Sequence, residues 1–323
     1  MIKKIKIGLV GLGHLGKIHL ELILQIDYFV LSGIYDIDVK RAKSFAKKFN
    51  IKKYENVEKL ILESDAIDIV TPTDTHFNIA CKCLKFNKHI FIEKPLTKTL
   101  SEAQKLIELI NNKKIVAQVG HIERFNPAFK SVKSLITNPL FIESHRLAEF
   151  NPRGTDVSVV LDLMIHDIDI ILTLIDSKIK NISGVGVPVI SKTPDIANVR
   201  IEFENKAVVN LTASRISLKS MRKTRIFKKD TYISINYLNK EVEVLKIKNA
   251  PKKTNEYDMI LENAEGVKKQ IFLKTPKIHD SNPIKEELTL FAESIINNTK
   301  PLVSLESGFK ALYVAQKIID SFK

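Results

Sequence analysis

The segment KIKIGLVGLGHLG, residues 4–16, constrains the fold of this chain more than any other. An apolar strand runs straight into Gly11-x-Gly13-x-x-Gly16, and helix-forming residues follow from about Leu15 to Ile26. Each glycine has a separate physical task in that setting. Gly11 permits a tight turn, Gly13 lets the backbone approach a pyrophosphate, and Gly16 lets the helix pack closely on the strand. The loop residues Leu12, His14 and Leu15 then sit at a helix amino terminus, where unsatisfied N–H groups favour an anion. Asp36 ends the next apolar strand, FVLSGIYD, about twenty residues on, as a dinucleotide fingerprint requires. A carboxylate there accepts hydrogen bonds from ribose hydroxyls and repels a 2′-phosphate, so NAD is favoured. Lys40 and Arg41 follow closely, which leaves NADP as the less favoured alternative.

The alternation continues through the first 120 residues. DVKRAKSFAKKF has apolar residues at helical spacing, AIDIVTP is a third strand, HFNIACKCLKF a helix, HIFIEKP a fourth strand, LSEAQKLIELINNK a helix from near Ser101, and IVAQVG a fifth strand. This repetition predicts a doubly wound parallel sheet of Rossmann type, residues 1–121. After Gly120 the pattern changes. NPAFKSVKSLI reads as a helix, PLFIESHRLAEF as a strand, and short strands dominate from Asn181 to about Thr275, several alternating apolar with polar residues. Two helices, about Ile284–Asn297 and Leu305–Phe322, close the chain. Residues 122–323 are therefore expected to form an α+β substrate-binding and oligomerisation domain with a large, mostly antiparallel sheet.

Length and composition fit this division: 323 residues, 44% apolar and 27% charged, suit a soluble protein with two domains. No signal peptide and no uninterrupted apolar span are visible, so a cytoplasmic protein without a membrane anchor is expected. Cys81 and Cys83 have neither zinc nor redox spacing, and no metal site is expected. The net charge of +14 comes from scattered lysines rather than a basic stripe, which argues against nucleic acid while favouring a phosphate-bearing ligand.

Candidate chemistry gathers at strand ends and on one helix. Thr71, Thr73 and His76, in VTPTDTH, follow the third strand, on the edge that lines the ligand crevice of such sheets. They are candidates for cofactor contact, although His76 equally suits the opening of the next helix. Glu93-Lys94-Pro95 follows the fourth strand on the same edge, where a lysine fixed by proline supplies positive charge beside a bound cofactor. The segment LDLMIHDIDIIL, residues 161–172, is strongly apolar yet carries Asp162, His166, Asp167 and Asp169. On a helix His166 lies roughly 40° from Asp162 and Asp169 roughly 20° on its other side, while Asp167 points away at roughly 140°. The stripe is either a solvated edge or the wall of a cleft.

These motifs in this order resemble the Gfo/Idh/MocA family of sugar and polyol oxidoreductases, over essentially the whole chain. The resemblance implies NAD-dependent oxidation of a sugar hydroxyl, with Lys94 near the nicotinamide and reacting carbon, and a Lys94–Pro95 bond that is often cis. It implies that Asp162 and His166 face the substrate hydroxyl. His166 is then the general base, Lys94 steadies the alkoxide, Asp162 holds the substrate hydroxyl or orients the imidazole, and Glu93 positions Lys94 and cofactor. Asp169 is expected to be structural. Val159, Val160 and Leu161 stand where the family often has glycine, which bears on substrate fit. VGHIERFNPAF and residues 145–172 resemble the nucleotide-sugar branch of the family. That implies a UDP-N-acetylhexosamine oxidised at its 3-hydroxyl, a downstream aminotransferase acting on the keto sugar in lipid A precursor synthesis, and a homodimer or homotetramer. Arg124, Arg146 and Arg153 are candidates for the diphosphate, with Asn126 nearby in sequence; structural ion pairing is the alternative for each arginine. The other readings are a dehydrogenase of a free sugar or polyol, and a non-catalytic NAD(H)-binding sensor.

Overall fold

The computed structural model describes residues 4–151, 157–251 and 259–322. They form two compact units, one of residues 1–125 with 282–313 and one of residues 126–281 with 314–323.

The first unit is built on a five-stranded parallel sheet in the order β2-β1-β3-β4-β5. Its strands are Ile5–Val10 (β1), Phe29–Tyr35 (β2), Ala66–Ile69 (β3), His89–Glu93 (β4) and Ala117–Gly120 (β5). The helices between them are His14–Ile23 (α1), Val39–Phe49 (α2), Val57–Glu63 (α3), Thr73–Lys85 (α4) and Leu100–Ile110 (α5). Their starts follow from capping chemistry. The Asp38 carboxylate accepts the N–H of Arg41 at the head of α2, and Thr99 with Glu102 forms a reciprocal capping box at the head of α5. Strand order reverses at β1, so the crevice at the carboxyl ends of β1 and β3 is the expected ligand position. The core joins Ile7, Leu9, Leu20 and Phe91 to Leu288, Phe291 and Ala292 of α8 (Pro283–Asn297), a helix drawn from far along the chain.

The second unit carries a nine-stranded sheet in the order β13-β14-β12-β11-β10-β6-β9-β8-β7. These strands are Phe141–Leu147 (β6), Ile179–Val187 (β7), Ile196–Phe203 (β8), Val208–Ser214 (β9), Met221–Lys228 (β10), Thr231–Asn236 (β11), Glu241–Asn249 (β12), Met259–Glu262 (β13) and Lys268–Lys274 (β14). Among the described residues only β6 and β9 of this sheet pair in parallel, so it is mostly antiparallel, as expected. A short helix, Pro127–Val132 (α6), precedes β6, and Ile165–Leu174 (α7) follows it. The last helix, Leu305–Asp320 (α9), contains the boundary between the units. Its Gly308 lies so close to β5 that a Cβ there meets the Val119 side chain at 2.8 Å, whereas Phe322, just beyond it, covers Gly184 and Gly186 of β7.

Four elements depart from the sequence reading. Helix α3 and strands β10 and β13 were not expected. In β10 only Thr224 and Ile226 are buried, among Arg222, Lys223, Arg225 and Lys228, so the apolar alternation is too sparse to see. The fourth departure concerns the helix carrying Asp162. Residues Val160–Met164 form a π-helical turn, in which the Ile165 N–H donates to the carbonyl of Val160, five residues back.

Candidate active site

The glycine loop adopts the geometry its residues suggest. Gly11 has φ +97°, and a Cβ there meets the Val70 carbonyl oxygen at 2.3 Å. At Gly16 a Cβ meets the Gly11 carbonyl oxygen at 2.0 Å, while at Gly13 it meets nothing within 4 Å, leaving that backbone open to a ligand. The loop borders a cavity of about 630 Å³. Gly11, Leu12, Gly13, His14, Leu15 and Gly16 all line it, as do Asp36, Thr71, Glu93 and Lys94.

Asp36 is held as an acceptor at the cavity wall. One carboxylate oxygen takes the Leu12 N–H at 2.7 Å and the other the Asp38 N–H at 2.8 Å. Arg41, also on the wall, brings Nη1 within 3.4 Å of Asp36. These residues fit an adenosine dinucleotide: the open glycine backbone and the helix start would hold its pyrophosphate, and the fixed Asp36 carboxylate would accept hydrogen bonds from its ribose.

Two cofactor candidates need correction. Thr73 and His76 do not line the cavity. The His76 ring is buried, with Nδ1 3.0 Å from the Pro95 carbonyl oxygen and Nε2 2.8 Å from that of Thr71. It ties the end of β3 to the loop after β4. The wall is completed instead by Thr75, Asn78, Ile79 and Lys82, one face of α4 at helical spacing. That spacing was present in the sequence, but it became informative only once α4 was known to border the loop.

Lys94 lies on the wall directly after β4, joined to Pro95 by a cis peptide. The carboxylate of Glu93 accepts the Lys94 N–H at 3.1 Å. Behind it, His19 of α1 places Nε2 3.2 Å from Glu93 and Nδ1 2.8 Å from Asp68 of β3. Burial pulls the His19 pKa down, but the two carboxylates outweigh it and carry the pKa to about 10. Burial pushes the Asp68 carboxyl up; the Glu93 carboxyl, despite its burial, is held below the usual range by His19 and Lys94. The sequence signal for this trio was an aspartate placed between isoleucines in a fully buried strand.

In the second unit Asp162 and His166 are both partly accessible, whereas Asp167 and Asp169 are buried at 5% and 1% exposure. Asp162 lies in the π turn, where each residue rotates less than in an α-helix, which keeps it and His166 on one stripe. Asp167, on the other side, is bound by Arg146 of β6 through Nε at 2.7 Å and Nη2 at 3.1 Å, and by the Ser144 hydroxyl at 3.0 Å. This pairing fixes the rotation of α7 on the sheet. It also gives Arg146, 2% exposed, a structural role in place of the diphosphate contact considered from the sequence.

A second buried pair holds the start of the same helix. Asp195 accepts the N–H groups of Val189, Ile190 and Ser191 and an Arg215 Nε bond of 2.8 Å. Arg215 Nη1 in turn donates to the Val157 carbonyl at 2.7 Å. Of the other substrate candidates, Asn126 caps α6 through the Ala128 N–H and donates to the Tyr237 carbonyl. Arg124 donates to the Leu302 carbonyl at 3.2 Å. Arg153 lies outside the described residues.

Comparison with known proteins now settles the family. Residues 5–121 match the model described as "Oxidoreductase family, NAD-binding Rossmann fold", and residues 132–231 match the "GFO/IDH/MocA C-terminal domain". The chain is 36% identical over 238 residues to UDP-N-acetylglucosamine 3-dehydrogenase of Acidithiobacillus ferrooxidans, covering 73% of this chain and 75% of that one. The chain belongs to the Gfo/Idh/MocA family. It is also 30% identical over 236 residues to the scyllo-inositol 2-dehydrogenase (NAD(+)) of Bacillus subtilis, covering 67% of this chain and 69% of that one. A solved structure of the A. ferrooxidans enzyme superimposes with a TM-score of 0.88 at 28% identity, over 99% of this chain and 98% of that one. This Gfo/Idh/MocA member is thus a dehydrogenase of the NAD-binding sugar and polyol type. Among its described residues no helix is long and apolar enough to cross a membrane, and no cluster of His, Cys, Asp and Glu is placed to hold a metal ion.

Proposed function

We propose that this protein is an NAD-dependent dehydrogenase that oxidises the 3-hydroxyl of a UDP-N-acetylhexosamine, UDP-N-acetylglucosamine above all, to a 3-keto sugar. The observation that carries the activity is Lys94 on the wall of the dinucleotide cavity, in a chain that also aligns Asp162 and His166 on one partly accessible helical stripe. The substrate assignment is supported by the relative of 36% identity.

Bound at the glycine loop and Asp36, NAD supplies the hydride acceptor. His166 takes the hydroxyl proton as general base, the role that histidine fills most often. The Lys94 ammonium stabilises the developing alkoxide, an interaction that strengthens when water is excluded. Asp162 orients either the imidazole or the hydroxyl. Arg124 and Arg153 are the candidates for the diphosphate. Asp36 disfavours NADP by placing negative charge where its 2′-phosphate would go.

The inositol-type relative supports a second reading, oxidation of a free polyol. The two readings separate when NADH formation is followed with UDP-N-acetylglucosamine, UDP-N-acetylgalactosamine, myo-inositol, scyllo-inositol and glucose. The nucleotide-sugar reading expects kcat/KM for a UDP-hexosamine at least a hundredfold above the polyols. Turnover of a polyol alone refutes it, and cofactor binding without turnover of any member points to the sensor.

A further inference from the structure

The trio His19, Asp68 and Glu93 lies outside the glycine loop, and it is expensive. His19 and Asp68 are fully buried and the Glu93 side chain is only 12% exposed. A buried set of charges is often no more stable than apolar residues of similar volume. A helix could be fastened to a sheet at lower cost with leucine and valine.

The geometry has a direction. A neutral imidazole donates through one nitrogen only. Nδ1 is hydrogen-bonded to Asp68 at 2.8 Å, and Nε2 lies 3.2 Å from a Glu93 oxygen without a well-directed hydrogen bond, so a ring carrying positive charge suits both carboxylates. Asp68 lies in the middle of β3, between Ile67 and Ile69, and fastens the ring from behind. Glu93 faces the cavity at the carboxyl end of β4. It is confined on two further sides. The Lys94 N–H donates to it, and a Cβ at Gly120, its register partner on β5, meets its carboxylate at 2.8 Å. A chain of contacts thus runs from a helix, through a ring fixed by one carboxylate, to a second carboxylate adjoining Lys94.

We propose that His19, fastened by Asp68, is a positioning residue for hydride transfer: it fixes the Glu93 carboxylate at the cavity wall and through it the backbone N–H of Lys94, the point from which the lysine side chain departs. This rests on the reading of Lys94 as the residue that stabilises the alkoxide. The competing role is purely structural, a stitch between α1 and the sheet, and the two ring nitrogens allow the roles to be separated. The amide nitrogen of His19→Gln replaces Nε2 and keeps a donor for Glu93. The amide nitrogen of His19→Asn replaces Nδ1 and keeps a donor for Asp68.

The test is steady-state kinetics of both variants, with NAD dissociation constants and melting temperatures measured alongside. Positioning predicts that His19→Asn loses 10- to 100-fold in kcat with the NAD dissociation constant within threefold of wild type, and that His19→Gln restores kcat to within about fivefold at a similar melting temperature. Adding Glu93→Gln to His19→Asn should cost no more than Glu93→Gln alone, because the two act in series. Equal kcat for the two variants, or kcat that follows melting temperature alone, overturns the proposal. Should the wild type turn over no candidate sugar, the reading of function has failed but the proposal is still decided. Crystal structures of the NAD-bound variants must show the Glu93 carboxylate and Lys94 displaced in His19→Asn and retained in His19→Gln; an undisplaced Glu93 in His19→Asn refutes it.

Discussion

Replacing Arg146 with methionine is predicted to cost about 4 kcal/mol of stability. Arg146 and Asp167 are 2% and 5% exposed, and the guanidinium supplies two of the three hydrogen bonds given to the Asp167 carboxylate. Methionine fills much of the same volume but leaves the carboxylate buried with the Ser144 hydroxyl. Removing one partner of a buried pair costs about 3–5 kcal/mol, whereas replacing both by apolar residues is often neutral. Arg146→Met should therefore lower the urea midpoint by about 1.3 M, for a slope near 3 kcal/mol/M. The double variant Arg146→Met/Asp167→Leu should recover most of that loss, so the two substitutions are strongly non-additive. Because the pair fixes the rotation of α7, kcat should fall in the single variant while the KM for a nucleotide sugar changes little. A single variant of wild-type stability with a KM raised tenfold or more refutes this reasoning and returns Arg146 to the role of a diphosphate ligand.

The cofactor and the buried trio give two further predictions. Asp36→Asn removes the charge facing the 2′ position and leaves Arg41 available to a phosphate, so the ratio of kcat/KM for NADP over NAD should rise at least tenfold, about 1.4 kcal/mol; an unchanged ratio places cofactor choice elsewhere. The His19 pKa is raised in the folded state to about 10, so the folded protein binds more protons than the unfolded chain above the ordinary histidine value. The stability it contributes is complete below about pH 6.5 and is lost as pH climbs through about 10. The melting-temperature gap between wild type and His19→Leu should narrow across that window, and a gap that widens refutes the assignment of charge to this ring.

The glycine loop and Asp36 were legible in the sequence because their constraints are local. Gly11 needs a positive φ and Gly16 a bare Cα, and both needs show in residue type alone. The strand and helix alternation was legible for a similar reason, since buried parallel strands read as short apolar runs. Other features depend on contacts made across long stretches of chain. Arg146 looks like a phosphate ligand until Asp167 is seen against it. His76 looks like a cofactor contact until Pro95 and Thr71 are seen to occupy its ring. The recruitment of α8 to the first sheet has no local signature, because its apolar spacing suits any core. The π turn at Asp162 follows neither proline nor glycine, so no residue marks it.

Under the proposed mechanism, Lys94 and His166 serve a single hydroxyl during hydride transfer. The most direct measurement is stopped-flow NADH formation in one turnover by His166→Ala, Lys94→Ala and the double variant, with NAD binding measured separately. His166→Ala should slow the step by about 10²–10⁴-fold with NAD affinity unchanged, and the double variant should be slowed by far less than the product of the two single losses. Hydride transfer at the wild-type rate in His166→Ala, with the sugar bound normally, contradicts it.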